Sequence, residues 1–348
     1  MTDGFMRGPF PILTTPYHAD GAVDAASLAR SARFVADAGC PGVIWCQSGD
    51  AVDLLTFDEK RCGYETLAAA LEGRDITLTL GCNGEDAAEA VRAVEAAEAV
   101  AAAHPATRIA LISRPPDGGR TLDDVRAYYE AVGAAAKRPV IIQTFVNAQC
   151  PIPTVEMLVD LAKRFPGVFG YVKVESGDEK TNQMMADLAA AKPVIRTVFS
   201  GWGGWQWLFQ TRRCGSEGVI SERCAYAPLF KFIWDRMENG DRDGRLMPAF
   251  AIFRLLADQR FHKREEMRGY GLHYLKRLGL FETTVTRQYK NVKTDAQGVA
   301  QVDPEKDRHE WVLEDLVLDG RQTAELDACY DEMTRFLADK PCGGTDIA

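Results

Sequence analysis

Lys173 is the residue of this chain best suited to covalent chemistry. It lies in Phe169–Asp178 (FGYVKVESGD), inside an apolar run typical of a strand. Such a strand is normally buried on both faces, and an ammonium there is costly unless something compensates it. Burial disfavours the charged form of an amine, and a neutral lysine can attack a carbonyl to form a Schiff base. The alternative is a strand-end lysine that reaches water or pairs with Glu175 or Asp178, and the local sequence leaves both open.

Candidate substrate-binding residues follow or end other apolar runs. The loop Gln47-Ser48-Gly49-Asp50 offers a hydroxyl and a glycine that lets backbone N–H groups approach a carboxylate. Its structural alternative is an ordinary Ser-Gly-Asp turn. Combined with a lysine across the fold, this loop predicts a site for the carboxylate and carbonyl of a 2-keto acid. The other substrate-binding candidates are Arg114, Gly201, Trp202 and Ile220, and the candidates for a catalytic role beside Lys173 are Gln143 and Thr144.

The elements that must position these residues alternate between short β-type runs and longer helical stretches. Strands alternating with helices predict a parallel sheet with right-handed crossovers, and eight such units match a (β/α)8 barrel. The predicted strands are Pro11–Thr15, Gly42–Cys46, Ile76–Gly81, Arg108–Ser113, Pro139–Phe145, Phe169–Val174, Ile195–Ser200 and Glu217–Ser221. The predicted helices between them include Ala25–Ala38, Glu59–Leu71, Glu85–Ala103, Leu122–Ala136 and Val155–Phe165.

The competing fold is a doubly wound open sheet. That fold normally carries a glycine-rich phosphate turn after its first strand, whereas Thr14-Thr15-Pro16-Tyr17 follows here. We therefore predict an α/β (β/α)8 TIM barrel over residues 1–238. Residues 239–348 are predicted to form additional C-terminal helices, packed on the barrel or at an oligomer interface. The glycine-rich loop from Gly201 can hold a phosphate or form a close wall with Trp202, and the absence of Lys or Arg within it favours the wall.

Composition excludes several classes of protein. The net charge of -9 and the lack of a dense Lys/Arg stripe argue against nucleic-acid binding. No apolar stretch is long enough for a membrane span, and the N-terminus lacks the pattern of a signal peptide. Nine cysteines and five histidines are dispersed without metal-ligand spacing. These features predict a reduced, cytoplasmic protein and recommend no metal site.

The motifs from about Gly8 to Leu280 resemble the dihydrodipicolinate synthase/N-acetylneuraminate lyase family of class I, Schiff-base-forming barrels. The resemblance rests on Pro11–Pro16, Ser48–Asp50, Gly170–Lys173 with Ser176–Asp178, Ser200–Gly201 and Gly218–Ser221. It implies that Lys173 forms the Schiff base and that Ser48 and the Gly49 amide hold the substrate carboxylate, with Gln47 beside them. It also implies a small-molecule 2-keto acid substrate, a homo-oligomer (tetramer or dimer), and no metal or organic cofactor.

The chain departs from the family pattern at several positions. The proton-relay tyrosine of the fifth strand is replaced in Gln143-Thr144-Phe145-Val146, and glutamine is not an ordinary acid or base near neutral pH. The synthase arginine after that strand corresponds to Ala148 or Gln149, the aromatic pair after the fourth strand to Arg114-Pro115-Pro116, and the loop glutamate to Asp50. These departures argue against a dihydrodipicolinate synthase. Thr144, Ser48 and Asp50 are candidates to position a water, and Arg114 either binds a distal substrate group or forms a surface salt bridge.

Three functions remain open at this point. The leading hypothesis is a Schiff-base lyase, an aldolase or dehydratase, acting on a 2-keto sugar acid derivative. A hydratase-aldolase with an aromatic aldehyde product would use Trp45, Phe145, Trp202 and Trp205, although aromatics beside strands are more often core. The third is a non-catalytic keto-acid binder that lacks the relay tyrosine. Gln143 favours the binder, and Lys173 favours the enzyme.

Overall fold

The computed structural model describes residues 6–47, 52–144, 150–175, 179–256, 264–294, 300–302 and 309–339. Eight strands alternate with eight helices between Gly8 and Asn239. The strands are β1 (Gly8–Pro11), β2 (Gly42–Trp45), β3 (Thr77–Gly81), β4 (Arg108–Ser113), β5 (Val140–Thr144), β6 (Tyr171–Val174), β7 (Thr197–Ser200) and β8 (Gly218–Ser221). The helices are α1 (Ala25–Asp37), α2 (Phe57–Ala70), α3 (Ala87–Ala103), α4 (Leu122–Ala135), α5 (Val155–Arg164), α6 (Glu179–Ala190), α7 (Trp207–Arg213) and α8 (Ala227–Asn239).

The eight strands form one parallel sheet in the order β1-β8-β7-β6-β5-β4-β3-β2. The two ends of this order meet, because Ile12 forms a parallel bridge with Ile44 and Leu13 N–H donates to the Ile44 carbonyl at 2.8 Å. The strand order and the intervening helices confirm the predicted (β/α)8 barrel. The carboxyl ends of all eight strands therefore open on one face of the molecule.

The first strand begins earlier than predicted, at Gly8 rather than Pro11. The two prolines in Gly8-Pro9-Phe10-Pro11 argue against a strand, since proline cannot donate to a ladder. However, Gly8 and Ile12 donate to Glu217 and Ser221 of the β8 side, at 2.8 and 2.7 Å. The N–H groups that donate to β8 thus belong to even-numbered residues. Pro9 and Pro11 are at odd-numbered positions, where pairing with β8 requires no N–H group. Thr14 and Thr15 consequently lie beyond the end of the strand.

Side-chain alternation separates an inner from an outer core. Phe10, Ile112, Tyr171, Phe199 and others fill the barrel, and the rings of Phe10 and Phe199 meet edge to face at 5.3 Å. A Cβ at Gly42 would lie 2.0 Å from the Phe10 ring, so this layer requires glycine there. Because strand side chains alternate with period two, Lys173 points to the same side as Tyr171. This places Lys173 above the inner core, at the open end of the barrel.

The segment after α8 contains strands as well as helices. The helices are α9 (Leu246–Leu256), α10 (Arg264–Arg277) and α11 (Gly320–Ala338), in a segment predicted to form additional helices. The strands are β9 (Val285–Tyr289), β10 (Val292–Thr294), β11 (Ala300–Val302) and β12 (Trp311–Asp315), which form the antiparallel pairs β9–β12 and β10–β11. The prediction for residues 239–348 included only helices, so these four strands were not predicted. No helix in the described part of the chain is long and apolar enough to cross a membrane.

Candidate active site

Lys173 and Glu175 form a buried ion pair at the carboxyl end of β6. Lys173 is only 4% exposed, and its Nζ lies 2.5 Å from Glu175 Oε1. Lys173 and Glu175 are two residues apart in an extended chain, so their side chains lie on the same side of the backbone. The pairing is the one that the structural reading of this lysine anticipated. The ion pair also places a proton acceptor in contact with the amine nitrogen of Lys173. It is therefore compatible with Schiff-base chemistry at this lysine.

Both oxygens of Glu175 are held by neutral donors. Gln143 Nε2 donates to Oε1 at 2.8 Å, and the backbone N–H of Trp202 donates to Oε2 at 2.7 Å. The backbone N–H of Glu175 in turn donates to Thr144 Oγ1 at 3.0 Å. Gln143 and Thr144 end β5, and Gln143 is the register partner of Lys173 in the sheet. The predicted residues Gln143 and Thr144 therefore contact Glu175.

The loop after β7 comes close to this carboxylate because of Gly201. A Cβ at Gly201 would lie 2.6 Å from the Val174 carbonyl and 2.7 Å from Glu175 Oε2, so no larger residue fits. Trp202 follows with φ +50°, and this residue is 59% exposed. Cys46, at the end of β2, is the other non-glycine residue with positive φ among the described residues. Strained backbone conformations of this kind concentrate at functional sites.

A chain of amide side chains crosses the open end of the barrel. Gln47 Nε2 donates to Gln143 Oε1, and Asn83 Nδ2 donates to Gln47 Oε1 at 2.9 Å. Asn83 Oδ1 accepts the backbone N–H of Arg114 at 3.0 Å. All of these side chains are buried. The wall beside Lys173 is thus built from neutral groups that both donate and accept hydrogen bonds.

Arg114 is a buried residue held by two carboxylates. Its Nη2 lies 3.1 Å from Asp53 and 2.7 Å from Asp117. Burial alone would lower the pKa of Arg114, but the charges of Asp53 and Asp117 raise it above its ordinary value. Arg114 therefore forms the salt bridge considered for it, but the bridge is not at the surface, since Arg114 is 5% exposed. Its two carboxylate partners come from the loops after β2 and β4.

A second acid lies within electrostatic reach of Lys173. Burial raises the pKa of Glu222, yet the charges of Arg223 and Lys173 lower it overall. Arg223 Nη1 contacts Glu222 Oε1 at 2.8 Å. Both residues follow β8, so they belong to the same face of the barrel as Glu175.

The remaining predicted residues have different positions. Ile220 is fully buried among the apolar side chains of the inner core. Ser48, Gly49 and Asp50 lie outside the described residues, as do Phe145, Ala148 and Gln149.

The aromatic residues considered for a pocket lie in different environments. Trp45 packs edge to face on Tyr64 in the outer core and donates to Thr15 Oγ1 at 3.1 Å. The guanidinium of Arg254 lies over the ring of Trp205, 4.7 Å from its centroid. Of the described aromatics proposed for an aromatic product, only Trp202 is largely exposed beside the site.

Two residues of the site, Glu175 and Asp53, were not among the predicted candidates, whereas the position of Asn83 directly after a predicted strand does place it at the site. Glu175 had a sequence signal, since it follows Lys173 by two residues and so shares its side of an extended chain. Asp53 has no local signal, because its partners Arg114 and Tyr289 are 61 and 236 residues away.

One group of side chains within the described residues has the spacing of a metal site. Ligand atoms of His18, Asp24 and Glu282 lie within 4.8 Å of one another. Asp24 already caps α1 by accepting from the Ser27 backbone and hydroxyl, and Glu282 lies 3.6 Å from Arg30. These contacts account for the carboxylates without an ion.

Comparisons with known proteins agree with this architecture and confirm the resemblance found in the sequence. The model of the dihydrodipicolinate synthetase family matches residues 6–247. A 4-hydroxy-tetrahydrodipicolinate synthase of Mycobacterium leprae is 26% identical over 51% of this chain, and the match spans only 57% of the relative's length. A probable 2-dehydro-3-deoxy-D-pentonate aldolase of Escherichia coli is 23% identical over 67% of this chain and 75% of its own.

Solved structures share the fold at low sequence identity. A dihydrodipicolinate synthase of Aquifex aeolicus superposes with a TM-score of 0.72 at 17% identity, covering 96% of this chain and all of the other. An N-acetylneuraminate lyase of Fusobacterium nucleatum has a TM-score of 0.72 at 16% identity, covering 95% and 99% of the two chains. The likeness extends beyond the residues matched by the family model.

Proposed function

Because the chain belongs to the dihydrodipicolinate synthetase family, we propose that it is a lysine Schiff-base lyase acting on a 2-keto acid. The observation that carries this proposal is Lys173, buried at the carboxyl end of β6 with Glu175 2.5 Å from its Nζ. Active sites of (β/α)8 barrels lie at that end. In the proposed reaction, Lys173 attacks the keto carbon, water leaves, and the iminium withdraws electrons from the bond that breaks. Cleavage of a carbon–carbon bond makes the protein an aldolase, and loss of a β-hydroxyl makes it a dehydratase.

We propose a 2-keto sugar acid derivative as the substrate. The buried amides Gln47, Asn83 and Gln143 can each donate and accept, which suits the hydroxyl groups of such a molecule. A hydroxyl that enters the site can take over the hydrogen bonds that these amides now make with one another. The similarity to the probable pentonate aldolase points in the same direction. Gln143 in place of the relay tyrosine argues against a dihydrodipicolinate synthase.

The predicted carboxylate site completes the proposal. Ser48 and the Gly49 amide would bind the substrate carboxylate, with Gln47 beside them and Asp50 positioning a water. Arg114, Gly201, Trp202 and Ile220 are the further candidates for substrate contacts. We also propose a cytoplasmic homo-oligomer, a dimer or tetramer. Support for a reducing compartment comes from the eight cysteines in the described residues, which are all free thiols.

The first experiment is borohydride trapping. Purified protein is incubated with pyruvate or with a series of 2-keto-3-deoxy sugar acids, reduced, and mapped by peptide mass spectrometry. We expect a reduced adduct on Lys173 and none in Lys173→Arg, which keeps the positive charge but cannot form the imine. A trapped adduct without turnover of any sugar acid would instead favour the non-catalytic binder. If no keto acid gives an adduct, the Schiff-base proposal is wrong.

Turnover is measured with the same series of substrates. Release of pyruvate indicates an aldolase, and loss of water with retention of the carbon chain indicates a dehydratase. Aromatic substrates that release an aromatic aldehyde serve as the comparison. We expect turnover of a sugar acid and none of the aromatic compounds, since Trp45 packs in the outer core.

A further inference from the structure

We infer that Glu175 transfers the protons of Schiff-base formation at Lys173, in the role that the tyrosine of the fifth strand has in the family pattern. The inference rests on the proposed function and adds a catalytic residue to it. The side chain at the fifth-strand position, Gln143, cannot exchange a proton near neutral pH. A carboxylate can, and Glu175 is the acid in direct contact with the reacting nitrogen.

The surroundings of Glu175 hold its carboxylate in one orientation. Oε1 faces Lys173 and also accepts from Gln143, while Oε2 accepts from the Trp202 backbone. Gly201 makes room for Oε2, because a Cβ there would lie 2.7 Å from it. The loop after β7 and the end of β5 thus both contribute to the placement of one carboxylate.

The contact between Lys173 Nζ and Glu175 Oε1 gives the proton a direct path at the start of the reaction. Starting from an ammonium and a carboxylate, Oε1 takes one ammonium proton and leaves a neutral amine. The amine nitrogen attacks the keto carbon, the carbonyl π bond breaks, and Glu175 gives its proton to the new oxyanion. Glu175 then removes a proton from the carbinolamine nitrogen and delivers it to the hydroxyl, which leaves as water.

This sequence of steps balances. The three ammonium protons of Lys173 end as one proton on the iminium nitrogen and two in the released water. Glu175 returns to the carboxylate form, so no other acid, base or cofactor is consumed. Glu222, an acid whose pKa is lowered in part by the charge of Lys173, is bound to Arg223 at 2.8 Å. Glu175 is therefore better placed for the transfer.

The alternative is that Glu175 only anchors the lysine, and the two roles predict opposite kinetic effects. Removing the carboxylate charge removes the counter-ion that stabilises the ammonium, so more of the amine would be neutral. If Glu175 were only a counter-ion, imine formation at neutral pH would be as fast or faster in Glu175→Gln. If Glu175 transfers protons, imine formation becomes slower although the amine is more available.

The test is the rate of borohydride-trapped adduct formation with pyruvate in wild type and Glu175→Gln. We expect a decrease of about 10²-fold or more, the usual size of a general acid–base contribution. Glu98→Gln is the matched control, because Glu98 is also 9% exposed and ion-paired, with Arg138 on the outside of the barrel. The control should form the adduct at the wild-type rate. A Glu175→Ala variant should regain part of the rate with added formate.

The outcomes separate this inference from the proposed function. An adduct that forms at the wild-type rate in Glu175→Gln would overturn the role of Glu175 and leave the lyase proposal intact. No adduct in wild-type protein would overturn the lyase proposal itself. If Glu175→Gln does not fold, the formate response of Glu175→Ala decides, and a folded Glu175→Ala that stays slow at every formate concentration would count against proton transfer.

Discussion

Arg287 and Glu59 are 228 residues apart in sequence and form a two-pronged contact, with Nη1 3.0 Å from Oε2 and Nη2 2.5 Å from Oε1. Arg287 lies in β9, and Glu59 is in the first turn of α2. Arg287 also donates to the carbonyls of Gly21 and Leu54. This contact attaches the strands after the barrel to the loops after β1 and β2, which border the site.

Replacing Arg287 with Met should destabilise the fold strongly. Arg287 is 4% exposed, and its loss removes the positive charge that pairs with Glu59 and the donors to two backbone carbonyls. Breaking one side of a buried ion pair costs about 3 kcal/mol, which chemical denaturation would detect. Arg321→Met is the control, because the Arg321–Glu325 pair is exposed to solvent and its loss should change the unfolding free energy little. Equal losses in the two variants would contradict a structural role for Arg287.

The contribution of Glu59 should depend on pH. Burial raises the pKa of Glu59, but hydrogen bonds and charge from Arg287, and hydrogen bonds from Thr56, lower it below the ordinary value. A lowered pKa in the folded state means that the carboxylate stabilises the fold above the pKa of the unfolded chain, about 4.3. This stabilisation is lost as the pH falls through the lowered value. The difference in unfolding free energy between wild type and Glu59→Gln should therefore be constant from pH 6 to pH 8, and should decrease below about pH 4. A difference that does not change down to the acid transition would be inconsistent with the lowered pKa.

Arg114→Met tests whether this residue has a structural role beside any contact with substrate. Asp53 and Asp117 would both lose their counter-charge, so we expect a loss of about 3 kcal/mol in unfolding free energy. Arg126→Met, which breaks the more exposed pair with Asp160, should cost about 1 kcal/mol or less. An unchanged unfolding free energy together with a raised KM would show that Arg114 serves the substrate alone.

The barrel and the place of Lys173 could be predicted from sequence because both depend on local patterns. Eight apolar runs at regular spacing define the strands, and polar residues at their ends define the face that holds the site. Lys173 could be identified as a candidate from its position within such an apolar run, without knowledge of the residues that contact it. The start of β1 was predicted wrongly. Pro9 and Pro11 lack an N–H, and whether that disrupts the strand depends on which neighbouring strand would need a donor at those positions.

The rest of the site depends on contacts between distant segments. The chain from Gln143 through Gln47 to Asn83 joins the ends of β5, β2 and β3, and no local pattern specifies that these amides meet. The same holds for Asp53, which accepts from the Tyr289 hydroxyl at 3.2 Å and whose carbonyl lies 2.8 Å from His309 Nδ1. These two partners come from the segment after the barrel, whose strands had no clear alternation in the sequence.

Gln143→Tyr tests whether the fifth-strand position still faces the bound keto acid. Gln143 and Lys173 are register partners on adjacent strands, so a phenol at this position would lie beside an adduct on Lys173. A phenol can exchange protons where the amide cannot. Gln143→Phe is the matched control, because it has the same ring without the hydroxyl and makes the same change in packing. We expect the exchange of the pyruvate methyl protons with D2O, followed by NMR, to be about 10²-fold faster in the Tyr variant than in the Phe variant. Equal exchange in the two variants would show that the hydroxyl does not reach the adduct, and that proton transfer at the substrate carbon depends on another part of the site.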